Sequence, residues 1–362
     1  NMAKIFKTSL FAAAAGLILT AGVAQADVKI AVAGPFTGQL ASFGEQLKRG
    51  AEMAVKDLNA KGGVNGEKIE LVYGDDQCDP KQAVSVANNL ANQGVVFVAG
   101  HFCSSSSIPA SDVYNEEGIP MITPASTNPT LTEKGYKAVY RVCGRDDQQG
   151  SVAGNYVAKT HANDNVAIIH DKTAYGKGLA DEMKKALNAA GKTEAMYEPI
   201  TAGEKDYSAL ISKLKQAKIS VVYLGGYHPE GGLIVRQAKE QGLKIQLISG
   251  DALNSLEFGS IAGPAGDGTI FTFGPEPRNF PEAQAVVKSF KDGGYDPEGY
   301  TLYTYATLQA WAQAATEAKT NDMDAVAKQL HKTRFNTVIG QFSFNEKGDT
   351  DGRAYVWYEW KD

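Results

Sequence analysis

The order of apolar runs and amphipathic segments is the feature that most limits how this chain can fold. Short runs rich in β-branched residues alternate with longer segments whose apolar residues recur at helical spacing. The series begins with residues 28–33, 44–61 and 68–73, and it starts again with residues 166–170 and 175–190. Such alternation predicts parallel sheets covered by helices on both faces. Two series in 362 residues leave room for two cores of ordinary size.

The rest of the chain extends this pattern and then departs from it. The other predicted strands are 95–99, 120–123, 195–200, 221–224 and 245–249, and the other predicted helices are 80–92, 108–117, 206–217 and 229–241. Near the C-terminus, helices are predicted over 282–292 and 302–318, and antiparallel strands over 342–344 and 354–360.

These elements predict an α/β protein of two doubly wound parallel-sheet lobes. Because no linker rich in Pro, Gly or Ser separates them, we expect the lobes to be joined by several crossings. The expected first lobe comprises residues 27–145 with 275–351, and the second comprises 146–274 with 352–362. Ligands of such folds bind beyond the carboxyl ends of the strands.

The N-terminus has the pattern of a secretory signal. Lys4 and Lys7 precede an apolar run over 10–24, and an Ala-Gln-Ala cleavage pattern ends at Ala26. A membrane anchor is the alternative, but the run is shorter than the ~20 residues a spanning helix needs. We therefore expect residues 1–26 to be a cleaved signal peptide and the mature chain to reach the periplasm.

Charge and cysteine content narrow the function further. The formal net charge of −5 argues against a nucleic-acid partner. Cys78 and Cys103 each follow a predicted strand, so parallel strands would bring them together, and an oxidising compartment favours a disulfide. Cys143 is then expected to be a buried, inert thiol. No metal-binding spacing is present, and we expect a monomer without metal or cofactor.

Loops that follow the strands carry the candidate site. Residues 100–107 bring four serines to the start of a helix, where an anion site and simple N-capping by one serine are equally favoured. The turn over 124–129 exposes carbonyls and hydroxyls, and Asp251 follows another strand, where it could meet a ligand cation or cap a helix. Aromatic side chains recur at other strand ends, namely Phe43, Tyr175 and Tyr227.

Signatures of enzymes are weak. Gly176 and Gly178 lack the third glycine of a dinucleotide-binding loop, and neither a P-loop nor a nucleophile elbow is present. His101 lies three residues before Ser104, which leaves an exported hydrolase as an alternative. No residue that could orient such a base is evident, so a structural histidine is favoured and no enzyme is expected.

Several segments, in one order along the chain, carry a resemblance to a known family. They are residues 75–83, 100–106, 121–125, 200–206 and 225–230. They resemble the periplasmic branched-chain amino acid receptors of ABC importers, which have the type I periplasmic binding protein fold. The similarity extends from Asp27 to about Trp360.

The resemblance implies a role for each candidate residue. The ligand carboxylate would be held by Ser104 and the Thr127 backbone, and the ammonium by the Ala125 carbonyl, the Thr127 hydroxyl and Asp251. The side-chain pocket would be lined by Phe43, Tyr175, Tyr227 and Tyr300. The family also carries a disulfide of the Cys78–Cys103 type, and its receptors deliver their ligand to an inner-membrane permease.

Two positions depart from the family pattern. Asp251 stands where glutamate is common, so its carboxylate reaches one methylene less far. Phe43 replaces a tyrosine or tryptophan, which makes that wall purely apolar. The alternatives are a receptor for another amino acid or an amide, and a ligand sensor for a signalling partner.

Overall fold

The computed structural model describes residues 27–351 and 353–362. The predicted signal peptide, residues 1–26, lies outside the described residues. Within the described part, two separate sheets form the cores of two lobes. No helix of this part is both long and apolar enough to cross a bilayer.

The strands are β1 Val28–Gly34, β2 Ile69–Asp75, β3 Val98–Gly100, β4 Met121–Thr123, β5 Val139–Arg141, β6 Val166–His170, β7 Met196–Pro199, β8 Val221–Gly225, β9 Gln246–Ser249, β10 Ile270–Phe273, β11 Phe335–Thr337, β12 Gly340–Phe342 and β13 Val356–Glu359. The α-helices are α1 Ala41–Ala60, α2 Pro80–Asn92, α3 Ser104–Glu117, α4 Thr130–Glu133, α5 Asp146–Thr160, α6 Ala174–Ala189, α7 Ser208–Gln216, α8 His228–Glu240, α9 Leu256–Ala262, α10 Gln284–Asp292, α11 Thr301–Ala318 and α12 Met323–Leu330.

Both sheets have the predicted doubly wound order. The first runs β2-β1-β3-β4-β5 and is parallel throughout. The second runs β13-β10-β9-β8-β6-β7, and only β13 is antiparallel, against β10. Because parallel strands end at one edge, the loops after β1, β3 and β4 meet at the first lobe's edge, and those after β6, β8 and β9 meet at the second's. The predicted fold class is confirmed.

The chain passes between the lobes more than once, as predicted. It leaves the first sheet after β5, and α5 packs on α6 of the second lobe. It returns after β10, because α11 packs on α1 and against β3. It crosses again to place β13 in the second sheet. The exact lobe boundaries given above stay a prediction.

Helix α5 approaches α6 unusually closely because two glycines face it. A Cβ at Gly150 would lie 2.6 Å from Glu182 Cβ and 2.7 Å from Met183 N. One turn on, a Cβ at Gly154 would lie 2.6 Å from Ala186 Cβ. Backbones in such close contact fix the axial position of α5, and therefore the position of its first turn beside the cleft.

Most element types were predicted correctly, and the α-helices that were missed are α4, α5, α9 and α12. Helix α5 was not predicted, because its glycines and glutamines break the apolar periodicity of a helix. Helix α3 begins at Ser104 rather than near 108, so the serines form its first turn. Strands β5 and β10 were not predicted either, and the strand predicted over 342–344 lies at Gly340–Phe342.

The predicted disulfide is present and joins the loop after β2 to the loop after β3. Cys78 and Cys103 are bonded, with their Cα atoms 5.6 Å apart. Cys143 is a buried free thiol, as expected, and burial raises its pKa well above the ordinary range.

Replacing Gly150 by alanine tests the close packing of α5 on α6. The added methyl overlaps Glu182 and Met183, so we expect the free energy of unfolding to fall by about 1–3 kcal/mol. Gly293→Ala is the matched control, since its Cβ would meet atoms only at 3.5 Å and its φ is −85°. Urea unfolding followed by circular dichroism measures both; equal stability of the two variants would contradict this packing.

Candidate functional site

All eight residues predicted to bind ligand are buried where the two lobes meet. Phe43 lies in the first turn of α1, Ser104 begins α3, and Ala125 and Thr127 follow β4. On the second lobe, Tyr175 lies in the first turn of α6, Tyr227 precedes α8, and Asp251 follows β9. Tyr300 precedes α11. Their role in binding a ligand stays a prediction, and their convergence is a finding.

The turn after β4 is held rigidly by polar contacts. The Thr123 hydroxyl accepts the N–H groups of Ala125 and Ser126 at 3.2 and 3.0 Å and donates to the His101 carbonyl at 2.5 Å. The guanidinium of Arg141 donates to the Ser126 carbonyl at 2.6 Å. These bonds fix the backbone that presents Ala125 and Thr127 to the cleft.

The start of α3 has free donor capacity rather than a serine cap. The N-cap residue is Cys103, and no side chain caps the helix, so N-capping by a serine is excluded. Ser104 Oγ accepts the Asn128 N–H at 3.2 Å, which leaves its proton to donate. A hydroxyl donor at a helix N-terminus suits an anionic group such as a carboxylate.

The Asp251 carboxylate accepts hydrogen bonds from residues of three different segments. Its Oδ1 accepts the Tyr175 hydroxyl at 2.6 Å and Gln149 Nε2 at 3.0 Å. Its Oδ2 accepts the Tyr300 hydroxyl at 2.5 Å. The Asp251 side chain therefore joins α6, α5 and the segment before α11, and it has no lysine, arginine or histidine among its hydrogen-bond partners in the described chain.

Sequence analysis did not identify two residues of this network, Asp146 and Gln149. Gln149 Nε2 also donates to Asp146 Oδ1 at 2.9 Å, and Thr127 Oγ1 donates to Asp146 Oδ2 at 2.9 Å. Both residues belong to α5, which the sequence pattern did not predict. The one available signal was the pair of acids at 146–147, which is typical of a helix's first turn.

Aromatic rings line the remaining wall. Phe43 stacks on Phe102, with ring centroids 4.4 Å apart, and Phe102 meets Tyr300 edge-on at 5.5 Å. Tyr175 and Tyr227 lie 5.0 Å apart on the second lobe. Phe102 was not among the predicted residues, although it stands beside Cys103 in the segment that carried the resemblance.

The lobes touch across the cleft, so the arrangement is a closed one. Asn128 Nδ2 donates to the Ala174 carbonyl at 2.9 Å. Phe43 packs against Tyr227 and His228, with centroids 6.0 and 4.9 Å apart. Two further contacts between the lobes, from Tyr300 to Asp251 and from Thr127 to Asp146, end on carboxylates, so the two acids take part in closure.

His101 has a structural role. Its Nδ1 lies 2.7 Å from Asp76 Oδ2 and its Nε2 lies 2.7 Å from the Tyr114 hydroxyl, and the ring is fully buried. Both ring nitrogens are therefore occupied, and neither contacts Ser104. A hydrolase that uses Ser104 and His101 as nucleophile and base lacks its first requirement, a hydrogen bond between them.

Burial shifts the ionisation of the two acids in the same direction. Desolvation raises the pKa of Asp251 above its usual range, although its hydrogen bonds oppose the change. Desolvation and then the negative charge of Asp251 raise the pKa of Asp146. Burial also raises the pKa of the Tyr175 and Tyr300 hydroxyls, so these phenols remain protonated donors.

A family model described as periplasmic binding protein matches residues 27–362. The chain belongs to the periplasmic binding protein family. The resemblance drawn from the sequence is thereby confirmed, as is the prediction of a receptor rather than an enzyme.

Similar proteins agree with this placement. The Leu/Ile/Val-binding protein homolog 2 of Brucella abortus (strain 2308) is 53% identical over 98% of this chain and 96% of its own. The leucine-, isoleucine-, valine-, threonine- and alanine-binding protein of Pseudomonas aeruginosa is 44% identical over 93% and 91%. Among solved structures, LivJ of Streptococcus pneumoniae in complex with isoleucine is 27% identical over 92% and 100%, with a TM-score of 0.83.

The raised carboxyl pKa values predict how stability without ligand depends on pH. An acid whose pKa rises on folding contributes stability that is fully present below its unfolded pKa near ~4 and is lost as the pH rises. The double variant Asp146→Asn, Asp251→Asn has no such loss, so its stability relative to wild type should increase from pH 4 upward. Chemical unfolding across pH checks this; a constant difference would contradict it.

Proposed function

We propose that this protein is a periplasmic receptor that binds a free branched-chain aliphatic amino acid between its lobes and delivers it to an inner-membrane ABC permease. The observation that carries this proposal is the convergence of Ser104, Thr127 and Asp251, from both lobes, in one buried cleft. A hydroxyl at a helix start and an unpaired carboxylate are complementary to the two charges of a zwitterion.

The ligand's carboxylate binds on the first lobe in this proposal. It accepts from the Ser104 hydroxyl and from the backbone of Thr127. The helix dipole of α3 adds a favourable field because its N-terminus points to the same place.

The ammonium binds between the lobes. The Ala125 carbonyl and the Thr127 hydroxyl accept from one side, and Asp251 accepts from the other. Tyr175, on the same lobe as Asp251, holds one of its carboxylate oxygens before the lobes close, and Tyr300 of the other lobe adds its hydroxyl on closure. A fixed carboxylate loses less side-chain entropy on binding than a mobile one.

The aliphatic side chain lies among Phe43, Tyr175, Tyr227 and Tyr300. Burying a leucine-sized side chain contributes about 1.5–3 kcal/mol. The relatives named for leucine, isoleucine and valine support this preference. The alternative is another small amino acid or an amide, in keeping with the threonine and alanine in the name of the Pseudomonas relative.

Ligand binding and lobe closure are one equilibrium in this mechanism. Ser104 and Thr127 belong to the lobe of residues 27–145 with 275–351, and Tyr175 and Asp251 to the lobe of 146–274 with 352–362. Only the closed form provides both sets of contacts, so the ligand shifts the population towards closure by its differential affinity. The permease then recognises the closed form.

The rest of the proposal concerns the cell. Residues 1–26 direct export and are cleaved, and the mature receptor acts as a monomer that binds neither nucleic acid nor a cofactor. A sensor that passes the same ligand to a signalling partner would use the same cleft, and uptake assays distinguish the two.

Asp251→Asn tests the site. Removing the charge that faces the ammonium should weaken leucine binding roughly 100-fold or more, since truncating one partner of a buried charge pair costs about 2–5 kcal/mol. Asp267→Asn is the control, because Asp267 is an exposed acid of the second lobe.

Isothermal calorimetry gives the affinity of both variants, after a thermal-shift screen of wild type against the common amino acids. Unchanged leucine affinity in Asp251→Asn would remove Asp251 from the site. A wild-type screen with no stabilising amino acid would overturn the proposed receptor, and stabilisation by other amino acids alone would replace the branched-chain preference.

A further inference from the structure

The buried acids Asp146 and Asp251 are joined by a glutamine whose orientation is fixed. Gln149 Nε2 donates to Asp146 Oδ1 and to Asp251 Oδ1, at 2.9 and 3.0 Å. Gln149 Oε1 accepts the Asp251 N–H at 3.0 Å and the Thr272 hydroxyl at 2.7 Å. Two donors on the oxygen and two acceptors on the nitrogen leave the amide one orientation, so the spacing of the two carboxylates is set.

Asp146 also sets the direction of the Thr127 hydroxyl. Thr127 Oγ1 lies 2.9 Å from Asp146 Oδ2, and the Asp146 N–H donates to the Thr127 carbonyl at 2.8 Å. When a ligand ammonium is bound, the Asp146 carboxylate is ionised and only accepts, so the single hydroxyl proton of Thr127 points at Asp146. The lone pairs of Thr127 Oγ1 are then free to accept from an ammonium, whereas a proton aimed into the site would repel it.

No cation of the described residues forms an ion pair with either acid, although the charge of Arg141 lowers the pKa of Asp146 from a distance. The nearby guanidinium of Arg141 is engaged by Asp349, Thr132 and the Ser126 carbonyl. The other titratable groups whose charge interacts with the pair have raised pKa values: the buried Cys143 thiol, the buried phenols Tyr175, Tyr223, Tyr227, Tyr300 and Tyr303, and the half-buried phenol Tyr355. Buried carboxylates without a cation are costly, and a cation brought by a ligand removes that cost.

We propose that Asp146 is a positioning residue that makes the site selective for a protonated amine. It orients Thr127 Oγ1 as an acceptor and adds a second negative charge behind it, so amino acids bind in preference to hydroxy acids of the same shape. This inference rests on the proposed function, and it adds the chemical basis on which that site discriminates.

The experiment compares leucine with 2-hydroxy-4-methylpentanoate, which replaces the ammonium by a hydroxyl. Calorimetry on ligand-free protein gives the affinity ratio of the two compounds for wild type, Asp146→Asn and Asp147→Asn. Asp147 is the matched control, since it occupies the same first turn of α5 but is exposed and paired with Arg145. We expect the ratio to fall about tenfold or more in Asp146→Asn, as a charge-assisted contact is weakened, and to stay within about twofold in Asp147→Asn.

A second comparison separates positioning from general loss of structure. In a Thr127→Val background the hydroxyl is absent, so adding Asp146→Asn should change the ratio less than it does in wild type. Thr127→Ser, which keeps a hydroxyl, should retain the wild-type ratio. If Asp146→Asn does not fold, Asp146→Ser removes the same charge with a smaller side chain that suits a helix start.

Each outcome has a distinct meaning. Equal weakening of both compounds in Asp146→Asn, or an unchanged ratio, overturns the role of Asp146 while leaving the receptor intact. Wild-type protein that binds no amino acid overturns the proposed function itself. A lower ratio in Asp146→Asn that persists undiminished in the Thr127→Val background overturns the action through Thr127.

Discussion

A buried carboxylate without a protein counter-ion is the constraint around which the cleft is organised. Asp251 is held by phenol hydroxyls from α6 and from the segment before α11, and by the Gln149 amide of α5. Neutral donors can satisfy its oxygens geometrically, but they do not neutralise its charge. Three elements distant in sequence supply those donors. The return of the chain after β10 and the close packing of α5 on α6 are therefore both needed to position this single side chain.

Some residues of this cleft could be predicted from the sequence, and others could not. Asp251, Ser104 and Thr127 follow strands, and the edge of a parallel sheet gathers such residues whatever the details of packing, so their convergence was predictable. Asp146 and Gln149 were not, because α5 has little apolar periodicity and is held instead by backbone contact at Gly150. Close helix contact depends on two glycines meeting a partner helix, and a single sequence does not show which segment that partner is.

The predicted start of a helix was wrong where polar residues form the first turn. The serines at the start of α3 were assigned to a loop, although their N–H groups at Ser106 and Ser107 donate to the Cys103 carbonyl. Serine favours turns and caps in isolation, and here tertiary contacts override that tendency. The displaced boundary matters for function, since it places Ser104 in the first turn of α3, where the helix dipole favours an anion. His101 is close in sequence but has no catalytic role with Ser104, because its ring is hydrogen-bonded to Asp76 and Tyr114.

Affinity and closure have a common origin in this arrangement. Among the contacts between lobes, Asn128 to Ala174 and Phe43 to Tyr227 join uncharged groups, and the hydrogen bond from Tyr300 to Asp251 does not neutralise that carboxylate. Closing the cleft without a ligand also desolvates Asp146 and Asp251, which opposes closure unless a proton or another cation accompanies them. An ammonium that enters with the ligand removes this penalty at the moment the lobes meet. The acid pair that would destabilise an empty closed form therefore makes closure depend on a ligand of the right charge.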